Sequence, residues 1–144
     1  MPAKVLGLAG FKTPVSAIAD VEAVERAIES TFQEPRFKAY LQRHEFEALV
    51  LADFDALERV FHRDKLGLQR LRIDIAGFVS GEEINHGSAT HPSARLSRAV
   101  VGYEDLKASN AYFVLAEAGL AAVRARCPRF DGWLGHWENW GGQT

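Results

Sequence analysis

With one cysteine, Cys127, the chain cannot close a disulfide within itself, and a reducing cytoplasm suits it. Beside Pro128, at the apolar end of an expected helix, that thiol reads as a small core residue rather than a nucleophile. Long hydrophobic runs are also missing. None approaches the ~20 residues that span a bilayer, and the start Met1-Pro2-Ala3-Lys4 lacks the apolar stretch of a signal peptide. The expectation is a soluble, cytoplasmic protein with no membrane partner. There is no glycine-rich phosphate cradle or cofactor loop. The five histidines, His44, His62, His86, His91 and His136, are scattered, and none has a zinc-type spacing with cysteine. An excess of one charge is lacking too: 17 basic and 19 acidic residues give a net charge of −2. That excludes broad electrostatic coating of nucleic acid and leaves room for a local basic patch.

What is present suits one ordinary domain, residues 1–144, of 47% hydrophobic and 25% charged composition. Val5 to Phe11 is short, apolar and closed by Thr13-Pro14, which predicts a buried strand. Val21, Val24, Ile28 and Phe32 recur at helical steps, with Asp20 as the expected N-cap. Phe37 to His44 alternates in the manner of a second strand. A short helix is expected near Phe46, then helices over Asp53–His62 and Lys65–Val79, with Gly81 as a break. Thr90 followed by Pro92 signals another helix start. Helices are expected again over Ala111–Cys127, interrupted at Gly119, and from Pro128, where Phe130, Trp133, Leu134 and Trp137 share a face. Two strands make a marginal sheet. The pattern therefore predicts an α/β fold: a small sheet completed by another chain or covered by a large helical C-terminal portion.

Three stretches carry a resemblance. Pro35 to Asp53 (PRFKAYLQRHEFEALVLAD) resembles the RF-PY-Q-HEFEALLF-D signature of a Toprim-like family, catalogued as domain of unknown function family 4276. Glu83 to Leu96, with Gly102-Tyr103 after it, resembles that family's E-IN-G-T-PS-RL…GY pattern. Gly119-Leu120, Arg124, Cys127-Pro128, Phe130 and Trp133-Leu134 resemble its closing GL-R-CP-F-WL pattern. Family members look like relatives of the Toprim subunits of abortive-infection and overcoming-lysogenisation-defect systems. The resemblance implies a Toprim α/β core, magnesium-dependent cleavage of nucleic acid, and an AAA- or ABC-type ATPase as partner. This chain is similar to the C-terminal part only. The family's first acidic strand has no counterpart here, and Lys4 to Phe11 carries no acid where a second is expected. Glu82 stands at the family's proline, His86 at an acid and Ala94 at a lysine. Magnesium takes clustered oxygen ligands, and such ions clamp the attacking and leaving oxygens of a displacement. On this reading the centre is a partial remnant in the chain alone.

The resemblance places catalytic candidates at His44, Glu45 and Glu47, and a magnesium ligand at Glu47. The helix start there also favours acids through its dipole. Asp53 is the second metal candidate. On a strand, Asp53 and Asp55 would point to one side and share a cation; on a helix, Asp53 is an N-cap with Asp55 in the first turn. Asn85, Thr90, Ser93 and Arg95 form a polar loop and helix start that offers N–H groups and a guanidinium to an anion or nucleic acid, or else a capped helix with a locally bonded loop. The function expected is a component of a phage-defence or mobile-element system, acting with an AAA/ABC-type ATPase or a complementary Toprim segment. The alternative is a non-catalytic interaction module that has lost its acids. The unfinished sheet edge invites strand addition, including by a second copy.

Overall fold

The computed structural model describes residues 18–84 and 87–140. Their elements are α1 (Ile18–Phe32), α2 (Glu47–Val50), α3 (Phe54–Val60), α4 (Lys65–Ile75), α5 (Pro92–Ala99), α6 (Lys107–Arg126) and α7 (Pro128–Trp140), with 3₁₀ turns at Gly81–Glu83 and Glu104–Leu106. The chain divides into two units, Met1–Arg43 with Gly132–Thr144, and His44–Asp131.

No strand occurs among the described residues, so the expected α/β, Toprim-like fold with a small sheet is corrected to an all-helical one. The first expected strand, Val5 to Phe11, lies outside the described residues. The second, Phe37 to His44, has a specific reason for not pairing. Its backbone donors are taken by carboxylates on α1: the Ala39 N–H donates to Glu29 (3.0 Å) and the Leu41 N–H to Glu25 (2.7 Å). Trp133 Nε1 in turn donates to the Lys38 carbonyl at 3.2 Å. A segment with period-two side chains normally satisfies its peptides on a neighbouring strand. Here helix side chains do it. Asp20, expected as a cap, lies inside the first turn of α1. Val21 and Val24 are buried, while Phe32 is exposed and stacks on Phe37 with ring centroids 4.8 Å apart.

The core of the larger unit is built around α2. All four of its residues are buried, and α5, α6 and the Gly81–Glu83 turn pack on it. That explains the apolar run Ala48 to Ala52, which continues through the helix and the turn after it and is buried throughout, Glu47 being the one charged residue of α2. Val50, Leu57, Leu68, Ile84, Leu96 and Val114 form the main cluster. Cys127 joins a second one with Leu49, Ala52 and Val123. It is a free thiol without exposed surface, pushed up to about 12 by burial and then by the nearby Glu82, so it stays protonated. Helix α4 stops at Ile75, earlier than its apolar stripe suggests, and leaves Val79 exposed. Gly119 breaks α6 with φ 76°, a left-handed value that favours glycine. No helix of the described residues is long and apolar enough to cross a membrane.

Leu96 is 0% exposed and Val101 is 90% exposed. Leu96→Ala should therefore destabilise the protein by about 2–5 kcal/mol. Val101→Ser should stay within about 0.5 kcal/mol. Urea denaturation followed by circular dichroism measures both.

Candidate functional site

Of the residues singled out by the sequence, Glu45 and Ser93 meet at the start of α5 and Glu47 opens α2, within the larger unit. Helix α5 begins with Pro92 at its first turn and His91 as its cap, the His91 ring accepting from the Ala94 N–H (3.3 Å). Thr90, part of the helix-start signal in the sequence, accepts from Arg95 Nε through its carbonyl and donates its N–H to the Gly87 carbonyl at 3.1 Å. Its hydroxyl is buried with no partner among the described residues. The remaining N–H groups of a helix start attract an anion, and the anion at α5 is the protein's own Glu45. Its Oε2 accepts from the Ser93 N–H at 2.8 Å and lies 3.0 Å from His91 Nδ1. Its Oε1 accepts from the Ser93 hydroxyl at 3.0 Å. Burial pushes the Glu45 carboxyl up, but the two Ser93 bonds and His91 outweigh it and hold the group below the ordinary carboxylate value.

The anion site predicted around Ser93 and the carboxylate predicted as catalytic thus bind each other. Ser93 and Glu45 also meet the same imidazole nitrogen, Nδ1 of His91, with Ser93 Oγ at 3.1 Å. A nucleophilic relay needs opposite nitrogens of the ring, so these three residues cap a helix instead of activating the hydroxyl. Arg95 is equally committed. It is buried, bonded to Asp74 and the Thr90 carbonyl, and its guanidinium lies 5.6 Å from the Phe78 ring centroid. Asn85 lies outside the described residues. His44 occupies the turn before α2 with φ 65°, a left-handed conformation uncommon for a non-glycine residue.

Glu47, at the start of α2, is buried and pairs with Lys107 Nζ at 3.2 Å. Lys107 also reaches Glu104 at 3.8 Å. Burial lowers the Lys107 pKa, but the bond to Glu47 and the fields of Glu47, Glu104 and Glu45 raise it by more. Tyr103, also buried, presents a hydroxyl with no partner among the described residues, and its pKa is raised by burial and then by Glu47, Glu104 and Glu45. The sequence reading missed Lys107, Glu104 and the role of Tyr103. Only the Gly102-Tyr103 motif signalled this corner.

Asp53 caps α3, accepting from the Asp55 and Ala56 N–H groups at 3.0 and 3.1 Å, and Asp55 pairs with Arg72 at 3.1 Å. The two aspartates therefore do not share a cation. These carboxylates already have partners in the fold. An ammonium sits against Glu47, N–H groups hold Glu45 and Asp53, and no group of three or more His, Cys, Asp or Glu among the described residues is placed to hold a metal ion. A further carboxylate does the same work elsewhere. Glu82, at the position where the resembled pattern has proline, is 2% exposed and accepts from the Arg129 and Phe130 N–H groups at 3.0 and 3.1 Å, at the start of α7.

The chain belongs to the family described as Domain of unknown function (DUF4276), whose model matches residues 6–138. No curated protein and no solved structure matches it.

Two stability effects follow. The Glu45 pKa in the folded state lies below its ordinary value of 4.5. Its contribution is therefore fully present above that value and is lost as pH falls through the folded value. Glu45→Gln should destabilise the protein by about 1 kcal/mol at pH 7. The gap from the parent should narrow progressively as the pH is lowered below 4.5, as read by urea titrations at each pH. Lys107→Met strands the buried Glu47 carboxylate and should remove about 1–3 kcal/mol. Glu47→Gln added to Lys107→Met should recover part of that loss in a double-mutant cycle.

Proposed function

We propose that this protein is a non-catalytic interaction module of a phage-defence or mobile-element system, and that it docks on an AAA- or ABC-type ATPase. One observation carries the reading: Glu45, Glu47 and Asp53, the acids that the resemblance offers for cleavage, are each held by a partner inside the fold. Carboxylates used this way fix helix starts and a buried ion pair, and they lend rigidity to a surface without doing chemistry on it. Exposed apolar side chains also support docking. Tyr112 and Phe113, with ring centroids 5.6 Å apart, and Leu106 and Leu120 are all more than half exposed. Side chains of this type enrich interaction surfaces.

A second reading, metal-dependent cleavage of nucleic acid with acids completed by another polypeptide, has one observation in its favour. Glu45, Glu47 and Glu104 all lie close enough to Tyr103 to act on its ionisation, so carboxylates do gather at this corner.

The test is to incubate the purified protein with magnesium or manganese and plasmid or RNA, with and without an AAA- or ABC-type ATPase from the same genome. In parallel, light scattering follows complex formation. The expected outcome is a stable complex with the ATPase and no cutting that depends on Glu47. Metal-dependent cutting abolished by Glu47→Ala overturns the proposal in favour of the enzyme reading. A particle of unchanged mass in the presence of the ATPase overturns it outright.

A further inference from the structure

We propose that the groove between α4 and α5 binds a nucleoside phosphate. The groove has a volume of about 540 Å³, within the range of small-molecule sites. Arg70, Arg95 and Arg98 line it with Asp74 and the apolar Ile73. Three guanidinium groups against one carboxylate leave an excess of positive charge, in a protein whose net charge is −2.

The three cations are not equivalent. Arg95 is 5% exposed and anchored by Asp74 and the Thr90 carbonyl, so its position is fixed before any ligand arrives. Arg98 is exposed. It donates to the Ala89 carbonyl and lies 4.0 Å from Asp74, too far for a strong pair. Arg70 is exposed and has no carboxylate partner among the described residues. Arg70 is thus available to an incoming anion, beside Arg98, which would exchange its bond to the Ala89 carbonyl, and a third guanidinium that is held in place. The planar fork of arginine matches phosphate oxygens two at a time.

The floor of the groove is set by backbone contact. A Cβ added at Gly67 of α4 would overlap the Ala99 carbonyl oxygen of α5, so the two backbones touch at that point, and both residues line the groove. A bare phosphate would occupy only a fraction of the volume. Ile73, 79% exposed on the same wall, offers an apolar surface to whatever carries the phosphate. A flat base on a sugar phosphate meets both demands, apolar face and anionic end.

The full chain is titrated with AMP, adenosine, inorganic phosphate, a 5′-phosphorylated oligonucleotide and a glutamate-rich peptide, by calorimetry at low salt. Saturable AMP binding that weakens with salt is expected, with adenosine silent and inorganic phosphate clearly weaker. Arg70→Gln and Arg98→Gln are each expected to weaken AMP binding about tenfold while leaving thermal unfolding unchanged, because both side chains are exposed. Competition by the phosphorylated oligonucleotide assigns the ligand to a strand end. AMP binding without that competition assigns it to a free nucleotide, and either result supports the proposal. Absence of saturable AMP binding, equal binding of inorganic phosphate or the peptide, or undiminished affinity in both arginine variants overturns it.

Discussion

Helix starts filled by the protein's own carboxylates organise the larger unit. A helix leaves its first N–H groups without partners, and burying them empty is costly. Asp53 fills α3 from the cap position itself. Glu45 fills α5 from 48 residues away in sequence, and Glu82 fills α7 from a similar distance. The long-range caps do more than the local one. Each ties a loop to a helix end that sequence alone does not bring near, so each bond specifies tertiary arrangement as well as helix stability. Acids near helix N-termini also gain from the helix dipole, which is why buried Glu82 is tolerated with so little exposed surface.

The Glu47–Lys107 pair obeys a different balance. Taking two charges from water costs as much as their attraction returns, or more, unless further bonds satisfy them. Lys107 keeps part of its side chain in solvent and is shared with Glu104, which limits that cost. Tyr103 sits beside these acids with its hydroxyl unpartnered among the described residues. A buried phenol near three carboxylates keeps its proton firmly, so it serves as a neutral wall for the pair and takes no part in acid–base exchange near neutral pH.

Much of the helical layout was legible in the sequence. Proline at the first turns of α5 and α7, glycine at the α6 break and Asp53 before α3 are local signals, and each acts through local geometry. The expected strand at Phe37 to His44 was not legible for what it is. Alternation marks two-sided exposure, and it does not reveal whether a sheet or a helix's glutamates will take the peptide donors. The candidate site was half legible. Glu45, Glu47, Ser93 and Arg95 are the residues that meet there, but their partners His91, Asp74 and Lys107 come from 2, 21 or 46 positions away or farther, or from an element with no motif of its own. Sequence spacing carries no information on which of several acids meets which helix end.

That last point bears on chemistry. A carboxylate offers about four lone-pair sites, and Glu45 spends both of its oxygens on Ser93 and His91, so a cation at Glu45 would compete with the cap of α5. Freeing Glu45 would empty the start of α5, removing bonds each worth about 1–3 kcal/mol to a charged acceptor, and would expose Ser93 and His91 together. Freeing Glu47 would separate it from Lys107. A cation at Glu45 and Glu47 would therefore have to displace the Ser93 bonds and the Lys107 ammonium, and part of its binding energy would be consumed in that exchange. At Glu45 the cap and a cation would draw on the same oxygens, and the fold described here is organised around the cap.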